Sequence, residues 1–503
     1  MKRLPEWLAW RAAVTPERAA LIWRERTWTF AELALEADRL ARQLAGLGVR
    51  AGDRVASCLS NRPELVVLVH AVSRLGAVLV PLNVRHTPQE LLTVLADADP
   101  HVVLVEPATR AAVASWTGTL VDVESDLAGL PEAAVELRRD VEVDAVHTLI
   151  YTSGTTDRPK GVLLTYGNHW WSAVGSQLNL GVLPDDRWLL CLPLFHVGGL
   201  SILFRSVLGG FAVELHERFD AVMANEAIER GVTLASFVGT MLWRMLEERG
   251  ERRSPAHLRA VLLGGGPAPR PLLERCAAVG LPVLQTYGLT ETASQLATLA
   301  PEDALRKLGS AGKPLYPNVL RIVRPDGSLA EPGEPGEIEV RGPVVTPGYW
   351  RRPDLTARAF CDGWLRTGDI GYLDEEGYLY VLDRRDDLIV TGGENVFPGE
   401  VEAVLLAHPA VAEAVVVGIP DVEWGQRVVA AVVLRRGMEV TEQELVAWCR
   451  TRLAGYKVPR AIRFVEELPR TASGKLQRWL VRQEWDRAAN GGTSDYGTRD
   501  ETA

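Results

Sequence analysis

Apolar positions along the chain recur at two alternating spacings. Residues 30–47 carry them at helical intervals, and residues 53–58 form a short run that reads as a strand. The exchange repeats: helix over 63–75, strand over 76–80, helix over 91–98, strand over 102–106. Sustained over about the first 380 residues, this rhythm predicts stacked α/β sheets with parallel strands. Two more apolar runs, 146–151 and 161–165, read as strands flanking a polar segment. Between residues 333 and 380 the texture changes. Glu337-Ile338-Glu339-Val340, Gly363-Trp364-Leu365-Arg366 and Gly377-Tyr378-Leu379-Tyr380 alternate between Gly, Pro and Asp turns, which predicts an antiparallel, β-rich subdomain. A charged break follows at 383–387. Beyond it, a helix over 398–407, strands over 411–419 and 428–434, a helix over 441–453 and a strand over 461–465 make an α+β unit of about 100 residues, enough for a small domain. The chain therefore divides into 1–383, a linker 384–387, a C-terminal domain 388–485 and a tail 486–503. The tail loses all apolar content from Asn490 and reads as disordered.

Bulk properties narrow the class. At 503 residues a single core is too small a container, so two or more domains are expected. An apolar fraction of 47% with 24% charged residues fits a soluble globular protein. A net charge of −10 and no basic patch interleaved with aromatics argue against nucleic acid. Any anionic substrate must be drawn in by local groups rather than by the overall field. Cys58, Cys191, Cys276, Cys361 and Cys449 are scattered without a metal-ligand spacing, so they read as small buried hydrophobes in a reducing compartment. The first residues lack the apolar stretch of a signal sequence, and no run reaches the roughly 20 apolar residues of a membrane span. The expectation is a cytoplasmic protein with no membrane insertion.

The chemistry concentrates at Tyr151–Gly161, YTSGTTDRPKG, where four hydroxyls, two glycines and a lysine share one turn-forming segment. Backbone N–H groups and hydroxyls in such a loop can wrap phosphate oxygens, and Lys160 adds a point charge. The spacing is not that of a Walker A loop. A polar surface hairpin is the plainer alternative. Lysine usage weighs against it. The chain has six lysines, at 2, 160, 307, 313, 457 and 475, and its other basic residues are arginines. Lys160 and Lys475 both stand in Gly/Ser/Thr loops, where a compact ammonium is useful.

Five ordered motifs carry a resemblance: TSGTTDRPKG (152–161), TYGLTE (286–291), RTGD (366–369), DRRDDLIVTGGENVFPGEVE (383–402) and PRTASGKLQR (469–478). The chain resembles the adenylate-forming superfamily of acyl-CoA synthetases, luciferases and nonribosomal adenylation domains, from residue 1 to about 485. The resemblance implies a large N-terminal domain of α/β sheets with a β-rich subdomain, and a small mobile C-terminal domain turning on a hinge at Asp386. It implies ATP, Mg2+ and coenzyme A as partners of a carboxylic acid, and leaves a homodimer open. By similarity Thr152, Ser153, Gly154, Thr155, Thr156 and Lys160 cradle the phosphates, Glu291 holds Mg2+ and Thr290 touches the α-phosphate. Gly264, Gly265, Gly266, Gln285, Thr286, Tyr287 and Gly288 form the adenine pocket, Asp369 binds the ribose, and Arg384 approaches the same ribose or the phosphate. Lys475 bridges the substrate carboxylate and the α-phosphate. After the domain turns, Thr391, Gly392, Gly393, Glu394 and Asn395 line the coenzyme A tunnel. One departure stands out: Asp157 occupies a position where the family usually has glycine, and an inward carboxylate would repel a triphosphate.

The acid is indicated by LPLFHVGGLSILFRSVLGG (192–210), which most resembles the o-succinylbenzoate–CoA ligases of menaquinone biosynthesis. Arg205 lies in an apolar stretch, where a guanidinium needs an anionic partner or a route to water. A dicarboxylic substrate supplies one, so Arg205 is the expected reader of the second carboxylate, with His196 orienting the acyl chain. An internal Glu or Asp, or a snorkelling side chain, would satisfy Arg205 equally well, and a satisfied core histidine would account for His196. The alternatives for the whole chain are a ligase for another aromatic or medium-chain acid, a stand-alone adenylation domain, and a non-catalytic homologue that binds nucleotide or acyl-CoA.

Overall fold

The computed structural model describes residues 2–152, 159–265, 270–324, 326–384, 389–396, 398–469 and 478–489. Ser153, Gly154, Thr155, Thr156, Asp157, Gly266, Asp386, Lys475 and the expected tail from residue 490 lie outside the described residues. Contacts divide the chain between Asp383 and Arg384 into a large N-terminal and a small C-terminal unit.

Among the described residues the N-terminal unit holds two large sheets, a smaller one and a two-stranded pair, Arg3–Pro5 with Asp140–Glu142. Among the described residues the first has seven strands, in the order Gly348–Tyr349, Lys160–Thr165, Val146–Thr152, Val78–Pro81, Arg54–Cys58, Val102–Val105, Thr119–Asp122. Its later strands run parallel, whereas Val146–Thr152 and Lys160–Thr165 form an antiparallel hairpin around the polar loop. The second has nine strands, in the order Lys313–Pro314, Ala297–Thr298, Val283–Tyr287, Ala260–Gly264, Leu234–Val238, Arg187–Leu190, Ala212–Leu215, Ala19–Trp23, Arg26–Thr29. Its middle is parallel and its edges antiparallel. The largest buried cluster draws on helices Trp7–Val14, Phe30–Gly46, Pro63–Leu75 and Val197–Gly209 together with residues of both sheets. The third sheet has five strands among the described residues: Val319–Val323, Gly336–Arg341, Trp364–Leu373 and Phe360–Cys361 pair antiparallel, as the alternation predicts, and Leu379–Arg384 also pairs with Trp364–Leu373.

Local signals explain the boundaries. Pro63–Leu75 starts on proline and stops at Gly76, whose φ of 69° suits a residue without Cβ. The helix expected from Leu91 begins at Pro88, because Thr87 and Glu90 close a capping box one turn earlier.

In the C-terminal unit, Gly425–Leu434 pairs antiparallel with Val411–Asp421 and Ile389–Thr391, and parallel with Ala461–Phe464. Side chains alternate across this sheet. Val416, Val428, Ala430 and Val432 pack on Val401, Leu405, Leu445 and Cys449 of helices Pro398–Leu406 and Glu442–Arg450. Val415, Val417, Val429 and Ala431 pack on Val481 and Trp485 of a third helix, Arg478–Ala489. That helix corrects the sequence reading twice: it was not anticipated, and it runs four residues into the segment expected as tail. Val481 and Trp485 are its buried apolar residues among the described side chains.

Candidate active site

Segment 283–294 organises the site. Strands Ala260–Gly264 and Val283–Tyr287 are parallel neighbours, with Leu263 paired to Gln285, so their C-terminal ends emerge side by side. That end of a parallel sheet is where ligands bind in open α/β folds. Beyond Tyr287 the chain doubles back so tightly that a Cβ on Gly288 would stand 1.6 Å from the Ser294 carbonyl oxygen. A short turn at Thr290–Thr292 follows, and Ala293 and Ser294 adopt φ of 50° and 98°, strained values for residues with a Cβ. The strain is held by surrounding bonds: Ser172 Oγ donates to Ala293 O at 2.7 Å, and Thr346 N donates to Glu291 O at 2.8 Å.

This turn delivers Glu291 to Lys160. Lys160 Nζ donates to Glu291 Oε1 at 3.0 Å and to Tyr349 Oη at 3.1 Å, and Tyr349 Oη donates to the same Oε1 at 3.0 Å. The Lys160 ammonium also lies 4.5 Å from the Tyr349 ring centroid. Burial alone would raise the Glu291 carboxyl, but the Lys160 charge and these hydrogen bonds hold it below its usual range. Burial would likewise lower Lys160, and Glu291 followed by Tyr349 reverses the sign. The Tyr349 phenol is pushed up to about 12, first by burial and then by Glu291, so it stays a donor at neutral pH. The pair is thus charged and closed by a neutral hydroxyl.

Four residues further up the same segment, Tyr287 Oη donates to Asp369 Oδ2 at 2.7 Å. Asp369 is 3% exposed and sits in strand Trp364–Leu373, where Thr367 Oγ1 accepts from its backbone N–H. Gly264 ends its strand beside Thr286: a Cβ there would approach Thr286 Cγ2 at 3.0 Å, and Gly265 has φ of 83°. The side chains of Gln285 and Thr286 turn to structural partners, Ser310 O and Ala297 O, so only their backbone is available to a flat ring.

Arg205 lies on helix Val197–Gly209 at 2% exposure. Neither expected escape is taken. No carboxylate lies within ion-pair distance among the described residues, and the side chain does not reach the surface. Its Nη2 donates to Ser294 Oγ at 3.3 Å, its guanidinium stands 5.5 Å from the Trp188 ring centroid, and its Nε is buried without a hydrogen-bond partner. The cation is therefore tied to the segment that bears Glu291. His196 caps the same helix half-buried, its ring edge-on to Phe195 at 4.7 Å.

Thr152 is the cross-strand partner of Lys160. It ends strand Val146–Thr152, and its buried hydroxyl has no hydrogen-bond partner among the described residues. Arg384 ends strand Leu379–Arg384. Gly392 and Gly393, at φ of 59° and 81°, turn a hairpin in which Thr391 pairs with Glu394 and Val390 with Asn395. Sequence reasoning assigned no strands to that stretch and did not single out Tyr349 or Ser294. Tyr349 stands 189 positions from Lys160 in a turn-rich stretch, and the pairing of strand Gly348–Tyr349 with Lys160–Thr165 brings them together.

The sequence pattern of the AMP-binding enzyme family matches residues 8–350, and that of the AMP-binding enzyme C-terminal domain matches residues 400–475. The chain belongs to the AMP-binding enzyme family. Among its relatives in that family, a 2-succinylbenzoate–CoA ligase of Geobacillus kaustophilus is 54% identical over 479 residues, 95% of this chain and 97% of that protein. The o-succinylbenzoate CoA synthetase of Bacillus subtilis, a double mutant bound with its product analogue OSB-NCoA, matches with a TM-score of 0.91 and 49% identity, covering 95% of this chain and 97% of that one. The same synthetase in complex with ATP and magnesium ion matches with a TM-score of 0.73 and 47% identity, covering 96% and 100%. The fold is the mixed α/β architecture of those AMP-binding synthetases, with a large N-terminal and a small C-terminal domain.

Proposed function

We propose that this chain is an ATP-dependent, AMP-forming ligase that joins o-succinylbenzoate to coenzyme A through an acyl-adenylate, in menaquinone biosynthesis. The observation that carries the reading is Arg205: a buried cation, unmatched by any described carboxylate, hydrogen-bonded to the segment that holds Glu291. A substrate with two carboxylates answers both groups, since one is activated and the other neutralises Arg205. A free carboxylate is a poor electrophile because oxide is a poor leaving group. A carboxylate oxygen attacks the α-phosphorus of ATP, the bond to the β-phosphoryl oxygen breaks, and pyrophosphate leaves. The coenzyme A thiol, losing its proton, then attacks the acyl carbon and releases AMP.

The protein mainly positions reactants and stabilises charge. In this reading Lys160, with Thr152, Ser153, Gly154, Thr155 and Thr156, receives the β- and γ-phosphates, and Thr290 receives the α-phosphate. Tyr287 and the backbone of Gly264, Gly265, Gly266 and Gly288 hold adenine, while Asp369 and Arg384 hold the ribose. A vicinal diol suits an ionised carboxylate that can accept two hydrogen bonds. Glu291 would hold Mg2+, which supplies charge neutralisation to the triphosphate. The residues fit that ion, because Glu291 is an oxygen donor whose carboxylate already attracts a cation, Lys160. Lys475 stabilises charge between the acid and the α-phosphate. The Gly392–Gly393 hairpin with Glu394 and Asn395 lines the thiol's approach, and Asp386 is the hinge. The reading places the enzyme in the cytoplasm, where both nucleotides are supplied.

Pyrophosphate release measured over a panel of acids, with and without coenzyme A, tests this. Fast release is expected with o-succinylbenzoate, and slow release with benzoate and fatty acids. Equal rates across the panel would defeat the role of Arg205, and no release with any acid would leave a binding protein instead.

A further inference from the structure

Tyr349 has no place in the chemistry above, yet its hydroxyl closes the hydrogen-bonded ring of Lys160 and Glu291. We infer that Tyr349 is a positioning residue of the phosphate–metal site, whose hydroxyl keeps Glu291 in place when Lys160 leaves it for the triphosphate. This rests on the reading of Lys160 as phosphate ligand and Glu291 as metal ligand.

The case is one of donor accounting. Lys160 and Glu291 neutralise one another at 3.0 Å. Binding of a magnesium–nucleotide complex must break that pair, because the ammonium is wanted by phosphate and the carboxylate by the metal. Glu291 then loses its cationic donor. A second cation in the Tyr349 position would compete with the metal by charge, but a phenol is neutral and does not. Lys160 and Tyr349 converge on the same oxygen, Oε1, so the hydroxyl can hold the carboxylate while the other donor departs. Tyr349 also need not move. Its backbone pairs with Val162, its N–H donates to Thr356 Oγ1 at 3.0 Å, and Trp350 N donates to Gly161 O at 2.8 Å. Arg352 and the Trp350 indole both bond Asp97, which accepts from Tyr151 Oη at 2.6 Å. Residues 348–352 are thus fastened to both strands that flank the phosphate loop.

The experiment is calorimetric titration of ATP, without acid, into the full-length protein and its Tyr349→Phe variant, in excess Mg2+ and in excess chelator. Phenylalanine keeps the ring, its packing and its face toward Lys160. A hydrogen bond to a charged group is worth enough that its loss weakens binding about tenfold or more. The expected result is a roughly tenfold weaker affinity in Mg2+, little change in chelator, and an unchanged melting temperature. On a Glu291→Gln background the same substitution is expected to add nothing. Equal affinities in Mg2+, equal losses with and without Mg2+, or an undiminished loss on the Glu291→Gln background would each overturn the inference. The acid never enters the measurement. A protein that passes it but turns over no o-succinylbenzoate refutes the substrate reading alone, and one that ligates the acid but shows no coupling refutes the role of Tyr349 alone.

Discussion

A guanidinium at 2% exposure, beside a serine hydroxyl and an indole face, carries a charge that no carboxylate among the described residues compensates. Burial pushes Arg205 down to about 9, so it remains protonated at neutral pH and the cost persists. That cost separates a residue kept for the fold from one kept for a ligand. Had Arg205 been held by an internal acid, its removal would destabilise the protein by orphaning that acid. With no such partner, Arg205→Met is expected to leave the free protein as stable as the parent or up to about 2 kcal/mol more stable. At the same time KM for o-succinylbenzoate should rise about 30-fold, the effect of losing about 2 kcal/mol of charge recognition, while benzoate is unaffected. Thermal melts beside steady-state kinetics decide it; a lower melting temperature with an unchanged KM would make Arg205 structural. The demand for a partner at Arg205 was legible in the sequence, from one cation in an apolar stretch. Which partner was absent was not, because ion pairing depends on residues brought near only by the fold.

Elements meet around a second group of buried ionisable side chains. His70 on helix Pro63–Leu75, His147 on strand Val146–Thr152 and His169 on helix Tyr166–Leu180 are each at most 3% exposed. His147 stacks on Tyr166 at 4.2 Å, and Trp7 and Phe204 close the cluster. Burial pushes His70 down to about 4 and His169 to about 3, and holds His147 well below its ordinary value, with His169 and His70 adding to the effect. The folded form therefore keeps all three neutral where the unfolded chain, near 6.5, takes up protons. Stability is full above about pH 6.5 and falls as pH drops below it, by about 4 kcal/mol between pH 7.5 and 5.5 if all three act alone. Buried Glu6, raised by desolvation, works in the opposite sense and offsets part of the loss. His147→Phe, which can keep the stack on Tyr166, should reduce the pH dependence of the melting temperature by about a third; an unchanged slope would remove the cluster as its cause. The sequence marked the strand Val146–Thr152 by its apolar run, and Pro63–Leu75 was readable residue for residue from its period, whereas helix Tyr166–Leu180 was not anticipated. It did not mark the hairpin of Ile389–Thr391 and Glu394–Val396, whose strands of three residues are too short to show a period. Nor did it mark Arg478–Ala489, whose buried Val481 and Trp485 are too few to make a stripe.

At the scale of the whole chain, the family was legible because its motifs are local and ordered, whereas the Lys160–Glu291–Tyr349 ring joins three segments that no local pattern connects. The same scale poses a kinetic question. Lys475 and the Gly392–Gly393 hairpin belong to one C-terminal unit, yet the proposed function uses the first to make the adenylate and the second to admit the thiol. If different loops serve the two half-reactions, they must be separable by mutation. Lys475→Ala removes a charge that acts only while the α-phosphate is attacked, and loss of one such preorganised group costs about 10²–10³ in rate. Pyrophosphate release with o-succinylbenzoate should fall by that factor, while thioester formation from supplied acyl-adenylate stays within about twofold. Gly392→Val should do the reverse. At φ of 59° a β-branched residue is strained, and its Cβ would stand 2.9 Å from Trp424 Cε3, so the hairpin or the indole must shift. Pyrophosphate release should then persist while conversion of the adenylate by coenzyme A slows at least tenfold. Two variants that slow both halves equally would mean that the C-terminal unit acts as one rigid part, and the division of labour between its loops would have to be abandoned.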